Sequence, residues 1–282
     1  MSEQFPLISC LCVTNRRVPL LKMSIACFLA QSYPNKEMVI VCQENDQDTI
    51  QYIESLKRED ILLVKNTPAD SLTLGELRNL SLERSRGDYF CQWDDDDWSH
   101  RDRLMIQYQN TTSNLFPATM LMNVLMFDAG RGDAYFSFFR LWDQTILGKR
   151  ELFSTYKYKP LNKSEDREFS NLLMTESRIF PTVSPNLYIY VYHGNNTWGS
   201  DHFNWLFGFA QKLPGHVSHL LGDILQGKYT VEEASNLLNA PEVMREVNYF
   251  WHDAKLIREK EEEARLQQET ELVENESLRQ ES

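Results

Sequence analysis

The first 100 or so residues alternate between short apolar runs and stretches of helical periodicity, and no other feature constrains the fold as strongly. The apolar runs predict four strands, at residues 7–14, 36–42, 61–65 and 89–93. Helices are predicted between them, at residues 20–31, at 48–57 and from Leu74 to about Gly87. Strands that alternate with helices form a parallel sheet covered by helices on both faces. The sequence therefore predicts a doubly wound α/β fold, whose ligands bind at the carboxyl ends of the strands.

The rest of the chain is less regular. Strands are predicted at residues 119–127 and 136–141, separated by a turn at 128–133. A helix is predicted at 165–175 and a strand at 187–192. From about Pro214 the pattern predicts helices without strands. From Lys255 the chain is almost entirely Glu, Gln, Arg, Lys and Leu, which is typical of a solvated helix that frays into disorder.

Composition limits the class of protein and its partners. Hydrophobic residues make up 42% of the chain and charged residues 25%, as in a soluble globular protein. The formal net charge of −12 argues against a nucleic acid as partner. No apolar run is long enough to span a membrane, although peripheral membrane contact stays open, and the start of the chain lacks a signal-peptide pattern. The five cysteines lie in apolar runs, so we expect buried thiols and a cytoplasmic protein, including one at the cytosolic face of a membrane.

Four consecutive aspartates, Asp94, Asp95, Asp96 and Asp97, directly follow the fourth predicted strand and stand between two tryptophans. Carboxylates this close repel one another, more strongly where water is partly excluded. Protonation or a divalent cation relieves the repulsion, and oxygen ligands suit Mg²⁺ or Mn²⁺. The alternative is an acidic surface turn, which the flanking tryptophans and the strand end disfavour.

Three segments resemble family 2 glycosyltransferases, which have the GT-A fold. They are residues 6–16, 75–79 and 87–97, and the last two stand in the order and spacing typical of the family. The resemblance covers about residues 5–205, strongly over the first 100 and only at motifs thereafter. It implies a GT-A-like, Rossmann-like and mostly parallel sheet flanked by helices and followed by a C-terminal helical extension.

The resemblance also implies a division of the chain. Residues 1–210 are predicted to form the GT-A domain, with a nucleotide-binding half at 1–100 and an acceptor half at 101–210. Residues 211–254 are predicted to be a helical extension, and residues 255–282 a charged helical or disordered tail. The sequence predicts no oligomeric state.

The Asp run resembles the DxD motif of the family, which contacts the nucleotide and holds a metal on the diphosphate. Asp94 and Asp96 fit its two acidic positions, and Asp95 and Asp97 could take either role. The resemblance thus implies a nucleotide sugar and a Mn²⁺ or Mg²⁺ cofactor. The implied nucleotide-sugar ligands are Thr14, Asn15, Arg16, Glu44, Arg78, Asp94 and Asp95, and the implied metal ligands are Asp94, Asp96 and His193.

Some of these donor-side residues have structural alternatives. Arg78 is also interpretable as a surface residue of a helix, and residues 14–16 as an ordinary turn after a strand. The family commonly carries paired aspartates after the second strand. This chain has Glu44 or Asp46 there instead, which leaves the identity of the nucleotide open.

The acceptor side is implied by a second acidic motif. Glu165 and Asp166 resemble the family's Glu-Asp pair, in which the Asp is usually the base that deprotonates the acceptor. The same residues would also suit a helix N-terminus, where carboxylates cap the chain and favour the helix dipole. Trp198 and Trp142 could stack on an acceptor sugar, or else belong to the core.

These features predict a metal-dependent inverting glycosyltransferase that transfers a sugar from a nucleotide sugar, with a UDP-sugar favoured, to a hydroxyl of a glycan or glycolipid. Bacterial polysaccharide or glycoconjugate synthesis is the implied setting. Two alternatives stay open. One is a nucleotidyltransferase of related fold, although no Gly-rich phosphate loop follows the first strand. The other is a catalytically degenerate protein that binds a nucleotide sugar or a partner.

Overall fold

The computed structural model describes residues 5–247. Residues 5–239 belong to one compact unit, and residues 240–247 belong to a second. In the second unit the Met244 N–H donates to the Ala240 carbonyl at 3.0 Å. The tail predicted at residues 255–282 lies outside the described residues.

The compact unit alternates strands and helices along its first half and becomes irregular after residue 113. The strands are β1 Ile8–Val13, β2 Lys36–Gln43, β3 Ile61–Asn66, β4 Tyr89–Gln92, β5 Trp98–Ser99, β6 Ala118–Leu121, β7 Leu125–Asp128, β8 Asp133–Phe136, β9 Leu147–Lys149, β10 Ile179–Thr182, β11 Tyr188–Tyr192 and β12 Gln211–Lys212. The helices are α1 Val18–Leu29, α2 Gln47–Leu56, α3 Leu74–Arg84, α4 Arg103–Ser113, α5 Arg167–Thr175, α6 Ser200–Phe209, α7 Gly215–Leu225 and α8 Val231–Leu238.

The main sheet has seven strands in the order β10-β6-β9-β4-β1-β2-β3. All neighbouring pairs are parallel except the two made by β9. Residues 8–12 of β1 and 37–42 of β2 are buried throughout, because helices cover both faces of the sheet and leave no solvent side. This arrangement confirms the predicted α/β fold with a mostly parallel sheet.

A second sheet of five strands has the order β12-β8-β7-β11-β5. The single strand predicted at residues 119–127 is wrong, because β6 lies in the main sheet and β7 in the second. The chain changes sheets at Asn123, whose amide donates to the Ser137 carbonyl at 3.1 Å. The strand predicted at 136–141 is also wrong, since β8 ends at Phe136. The turn at 128–133 is confirmed as the connection of an antiparallel β7–β8 hairpin.

The compact unit continues past residue 210, where the sequence placed the end of the GT-A domain. Strand β12 pairs with β8, and α7 and α8 belong to the same unit. The segment after β5 holds α8 in place, because the Arg101 N–H donates to Ser235 Oγ at 3.0 Å and His100 Nε2 lies 3.2 Å from the Ser235 carbonyl. The boundary at 210 therefore falls inside one structural unit, while the functional division of the chain stays a prediction.

The cysteines behave as small buried hydrophobes. All five are buried and free, as the apolar runs around them predicted. Within residues 5–247, no helix combines the length and the apolar character needed to cross a bilayer.

Candidate active site

Both acidic motifs line one cavity beside the carboxyl ends of β1 and β4. Its walls come from the aspartate run, from the start of α5, from α3 and from the loop between β11 and α6. The lining residues are Val13, Arg17, Leu74, Arg78, Asp94, Asp95, Asp96, Gln144, Glu165, Asp166, Tyr190, Asn196, Thr197 and Trp198. A larger depression of 680 Å³ beside Gly87 and Lys149 contains none of the residues predicted for the site. The chemistry-bearing residues therefore converge in the smaller, more polar cavity.

Asp94 is the attachment point of a buried arginine. Its Oδ1 accepts from Arg78 Nη1 at 3.3 Å and from the Gln92 side-chain amide at 2.8 Å. Burial raises the pKa of Asp94, although the nearby Arg78 guanidinium opposes the shift. Arg78 is itself buried, so the structure excludes its alternative interpretation as a surface residue of a helix.

Asp95 faces the end of β1. Thr14 Oγ1 donates to its Oδ2 at 2.6 Å, and Arg17 Nη1 lies 3.5 Å from its Oδ1. Burial raises the pKa of Asp95 to about 7, and the neighbouring Asp96 adds to the shift. A carboxylate in this position is therefore ready to gain a cation or a hydrogen-bond donor from a ligand.

One carboxylate oxygen of Asp96 contacts side chains from two segments that are distant in sequence, the start of α1 and the loop after β11. Its Oδ2 lies 3.1 Å from His193 Nε2, 3.0 Å from Arg17 Nη1 and 3.4 Å from the Asn196 amide nitrogen. Arg17 Nη2 also donates to the Asn195 carbonyl at 2.7 Å. The loop after β11 is thereby held over the aspartate run.

Asp96 and His193 fit a divalent cation, but the predicted three-residue set does not form. The Asp96 oxygen and the His193 nitrogen are 3.1 Å apart and both side chains are partly accessible, so two ligands could meet one ion. Asp94 is engaged by Arg78 instead. Within the described part of the chain, no group of three or more His, Cys, Asp or Glu side chains is arranged to hold a metal. Further ligands would have to come from a bound substrate or water.

Asp97 has a structural role. Its Oδ2 accepts from the Tyr188 hydroxyl at 2.5 Å, and its Oδ1 accepts from the Val191 N–H at 2.8 Å. Both partners lie on β11, so the last carboxylate of the run fixes the strand that leads to His193. The sequence left ligand binding open for both Asp95 and Asp97. In the structure, both carboxylate oxygens of Asp97 accept hydrogen bonds from β11.

Glu165 and Asp166 occupy different environments although they are adjacent. Glu165 is buried, and its Oε1 accepts from Arg78 Nε at 2.9 Å. Asp166 is the N-cap residue of α5, yet its side chain makes no capping hydrogen bond. Burial raises the pKa of Asp166 to about 7, with further increases from Asp143 and Glu165 and an opposing effect from Arg78. An uncommitted carboxylate with a pKa near neutrality can exchange a proton with a ligand.

Gly75 is required where α3 approaches the segment that carries Glu165. Its N–H donates to the Leu161 carbonyl at 3.0 Å. A Cβ atom on Gly75 would lie 1.7 Å from the Lys159 carbonyl oxygen, a backbone atom that cannot move aside easily. The glycine therefore permits the close contact that brings Arg78 and Glu165 together.

We expect Gly75→Ala to destabilise the fold by at least about 1–3 kcal/mol, because it inserts a methyl group into a closely packed backbone contact. The control is Gly208→Ala on α6, where an added Cβ meets no atom within 4 Å. That change should stabilise the protein by roughly 0.5–1 kcal/mol through helix propensity. Urea unfolding midpoints measure both, and equal midpoints would contradict the assigned role of Gly75.

The remaining nucleotide-site residues of the prediction lie outside this cavity. Asn15, Arg16 and Glu44 are exposed, and Arg16 lines a separate depression between the ends of β1 and β2. Asp46, the alternative to Glu44, is buried and accepts from the Arg16 and Thr49 backbone N–H groups. Asp46 is thus committed to capping α2. The Glu44 backbone N–H donates to the Asn66 carbonyl, and the Glu44 backbone carbonyl accepts from the Gln47 side-chain amide at 2.8 Å.

The two tryptophans predicted to contact the acceptor occupy different environments. Trp198 lines the cavity and stacks on His202 with ring centroids 4.5 Å apart. Trp142 is 1% exposed and packs edge-on against Tyr190 at 5.9 Å. The acceptor role predicted for Trp142 is therefore wrong, because its ring belongs to the core.

The sequence did not predict Arg17, Gln92 or Asn196 as site residues. Arg17 directly follows the predicted residues 14–16, and Asn196 lies three residues after His193, so both had a neighbouring signal. Gln92 ends β4 and resembled an ordinary strand residue. Its amide contacts Asp94, and its carbonyl accepts from the buried Arg103 at 2.9 Å.

Sequence comparison shows a family similarity in the first part of the chain. The sequence model of glycosyl transferase family 2 matches residues 10–114, a segment that includes the aspartate run. The family resemblance is confirmed over these residues. The family 2 segment ends before Glu165 and Asp166, so their role stays a prediction. Among curated proteins, no sequence matches this chain closely enough to identify a relative.

Solved structures share the fold of this chain at low sequence identity. S. aureus TarS 1-349 in complex with UDP-GlcNAc has a TM-score of 0.55 and 15% identity, covering 86% of this chain and 73% of that one. The mannosyltransferase PcManGT from Pyrobaculum calidifontis, in complex with GDP-Man and Mn²⁺, has a TM-score of 0.53 and 14% identity, covering 90% and 81%. The chain spans 60% of another TarS 1-349 structure and 36% of a further TarS chain. The predicted GT-A-like fold is confirmed.

Proposed function

We propose that this chain is a metal-dependent, inverting glycosyltransferase that moves a sugar from a nucleotide sugar to an acceptor hydroxyl. One observation carries the proposal. Asp94, Asp95 and Asp96 line one cavity together with Glu165 and Asp166, although about 70 residues separate the two motifs. A sugar transfer needs these two functions side by side, since one group must hold the donor and another must deprotonate the acceptor.

The donor diphosphate belongs against the aspartate run, with Arg78 and Arg17 as nearby cations. Arg17 already contacts Asp95 and Asp96, so a bound diphosphate would compete with those carboxylates for its guanidinium. Thr14, Asn15, Arg16 and Glu44 remain candidates for base and ribose contacts at the ends of β1 and β2. The nucleotide itself follows only from the family resemblance, which favours a UDP-sugar.

Asp96 and His193 would hold the cofactor. A divalent cation there would neutralise the charge that develops on the leaving diphosphate. The mixed set of one carboxylate oxygen and one imidazole nitrogen favours Mn²⁺ over Mg²⁺, because Mg²⁺ prefers oxygen ligands throughout. Asp94 is held by Arg78 and Gln92, and its proposed contact is with the nucleotide sugar.

Asp166 would accept the proton of the acceptor hydroxyl. The hydroxyl oxygen forms the new bond to the anomeric carbon while the bond to the diphosphate breaks on the opposite face, which inverts the configuration. Glu165 would act as a positioning residue, because its carboxylate is bound to Arg78 and is therefore unable to take the proton without breaking that pair. Trp198 would contact the acceptor, a glycan or glycolipid hydroxyl of the kind used in polysaccharide or glycoconjugate assembly.

Thermal unfolding with UDP, GDP, dTDP and CDP, each with Mn²⁺ or a chelator, tests this proposal. A nucleotide present at about 100 times its dissociation constant should add roughly 2.7 kcal/mol of stability. We expect a shift that needs Mn²⁺ and that Asp96→Ala abolishes. The control, Asp223→Ala, removes an aspartate paired with Lys228 and should keep the shift. A folded wild-type protein that no nucleotide stabilises would instead favour a degenerate, partner-binding protein.

A further inference from the structure

A second arginine, Arg103, is fully buried at the start of α4, shortly after the aspartate run in the sequence. Unlike Arg78, it forms no ion pair with an acidic residue within residues 5–247, and it does not line the cavity. A buried guanidinium without a carboxylate partner is unfavourable unless hydrogen bonds compensate its lost hydration. The position of this charge therefore needs an explanation that an apolar side chain could not meet.

The Arg103 guanidinium joins the two ends of the loop that carries the aspartate run. Its Nη2 donates to the Gln92 carbonyl at 2.9 Å, and its Nη1 donates to Ser99 Oγ at 2.9 Å. Gln92 ends β4 and Ser99 ends β5, so residues 93–98 lie between the two acceptors. A guanidinium is planar and rigid, and it therefore fixes the separation of the groups that it binds.

The same group contacts further parts of the site. Its carbon lies over the Trp93 ring, 5.1 Å from the centroid, and over the Tyr188 ring at 4.7 Å. Tyr188 is the residue whose hydroxyl donates to Asp97. Arg103 Nη2 also lies 3.5 Å from the carbonyl of Gln144, a residue that lines the cavity. One side chain thus contacts the first residue of the loop, the partner of its last aspartate and a wall of the cavity.

Gln107 fixes the orientation of the guanidinium. It lies one turn after Arg103 on α4 and is fully buried. Its Oε1 accepts from Arg103 Nε at 3.1 Å, and its Nε2 donates to the Thr145 carbonyl at 2.8 Å. All three nitrogens of the guanidinium therefore have an acceptor, and the side chain has one defined orientation.

This arrangement opposes the repulsion within the run. Four adjacent carboxylates repel one another, and the repulsion favours a loop that opens. Ligand recognition requires the opposite, because binding groups must stay within about 0.5 Å of their productive positions. A connection between the two ends of the loop meets this requirement without occupying any of the space that a ligand would use.

We propose that Arg103 is a positioning residue for the donor site. It holds the two ends of the aspartate loop together, so that Asp94, Asp95 and Asp96 face the cavity in the arrangement that a nucleoside diphosphate and its cation need. The inference rests on the proposed function and adds a residue that acts on the ligand only through the loop.

Hydrogen exchange of the free protein tests the effect on the loop. In Arg103→Lys and Arg103→Met, we expect the amides of residues 93–99 to exchange at least about tenfold faster, because local opening becomes easier. The control, Leu221→Ala, creates a cavity at a buried position of α7 and should lower the unfolding temperature without selective exchange in this loop. Ser99→Ala removes a single acceptor and should cause a smaller change at the same amides, which keeps the test decisive if the arginine variants do not fold.

Nucleotide affinity separates a positioning role from a contribution to folding alone. The dissociation constants of UDP, GDP, dTDP and CDP are measured with Mn²⁺ at a temperature where every variant is folded. For the nucleotide that binds the wild type, both arginine variants should bind roughly 10- to 100-fold more weakly, the loss typical when a partner of a ligand-binding residue is removed. Leu221→Ala should keep the wild-type affinity.

The lysine variant decides between charge and geometry, since it keeps the charge and loses the planar group. Wild-type affinity in Arg103→Lys would overturn the proposal, and so would unchanged exchange of residues 93–99 in the arginine variants or in Ser99→Ala. A wild-type protein that binds none of the four nucleotides would count against the proposed function, while the exchange of the free protein would still show whether Arg103 holds the loop.

Discussion

Replacing Asp166 by asparagine is expected to lower the turnover number by about 10²- to 10⁴-fold, the range that a positioned general base contributes. The change keeps the shape of the side chain and removes its ability to take a proton. Nucleotide-dependent stabilisation should be unchanged, because the aspartate run is untouched. Steady-state turnover and thermal unfolding measure the two effects separately.

The pH dependence of kcat/KM tests the same assignment in the wild-type protein. A base must be deprotonated to act, and the pKa of Asp166 is raised to about 7, so kcat/KM should rise with pH through about 7. Asp143 contributes to this raised pKa, and Asp143→Asn should therefore move the midpoint of the profile to lower pH. An unchanged midpoint in Asp143→Asn would show that the pH dependence of kcat/KM does not report the ionisation of Asp166.

Stability should respond in the opposite direction. The pKa of Asp166 is higher in the folded than in the unfolded chain, so the folded state binds its proton more tightly and loses stability as the pH rises from about 4 to 7. Asp166→Asn removes this loss. At pH 8 it should be more stable than the wild type, on the order of 4 kcal/mol, and at pH 4 it should not. Unchanged turnover in this variant would exclude Asp166 as the base.

The second large effect is expected at Arg78. It is buried and bound to both Asp94 and Glu165, at 3.3 and 2.9 Å. Burial opposes its charge, but the two carboxylates together hold the pKa of Arg78 above its usual range. Arg78→Met should destabilise the fold by about 3–5 kcal/mol, because it leaves a buried carboxylate without its partner. Chemical unfolding at neutral pH measures this loss.

A double-variant cycle shows whether the cause is the unpaired charge. Arg78→Met/Glu165→Gln should be more stable than Arg78→Met alone, since the second change removes the stranded carboxylate. Arg58→Met is the control, because Arg58 and Asp60 form a shorter pair at 2.7 Å that is exposed. That loss should stay below about 1 kcal/mol. Equal losses at Arg58 and Arg78 would show that burial does not govern these pairs.

Strands β1 to β4 of the main sheet and β11 of the second sheet were predictable, because they appear as apolar runs in the sequence. The shortest strands of both sheets were not. Strands such as Trp98–Ser99 and Gln211–Lys212 are two residues long and follow no apolar period. Strand β9 is three residues long and is antiparallel to β4 and β6. These short segments are strands only because partners distant in sequence are already in place.

Some residues of the candidate site were also predictable from the sequence, and others were not. Carboxylate runs are visible in a sequence, so Asp94, Asp96 and Asp166 could be named in advance. The contact of Arg17 with Asn195 could not, because it joins residues 178 positions apart through the final packing of two loops. The same holds for Trp142, since an aromatic residue in a loop gives no sign in the sequence of whether its ring faces a ligand or the core.

The aspartate run attaches four consecutive carboxylates to four different parts of the chain. The first is bound to α3, the second to the end of β1, the third to the loop after β11, and the fourth to β11 itself. The aspartate run therefore connects four segments of the fold, and its length is as important for their alignment as its charge. Replacing one aspartate removes one attachment. Inserting one residue would turn every later side chain away from its partner and misalign several segments at once.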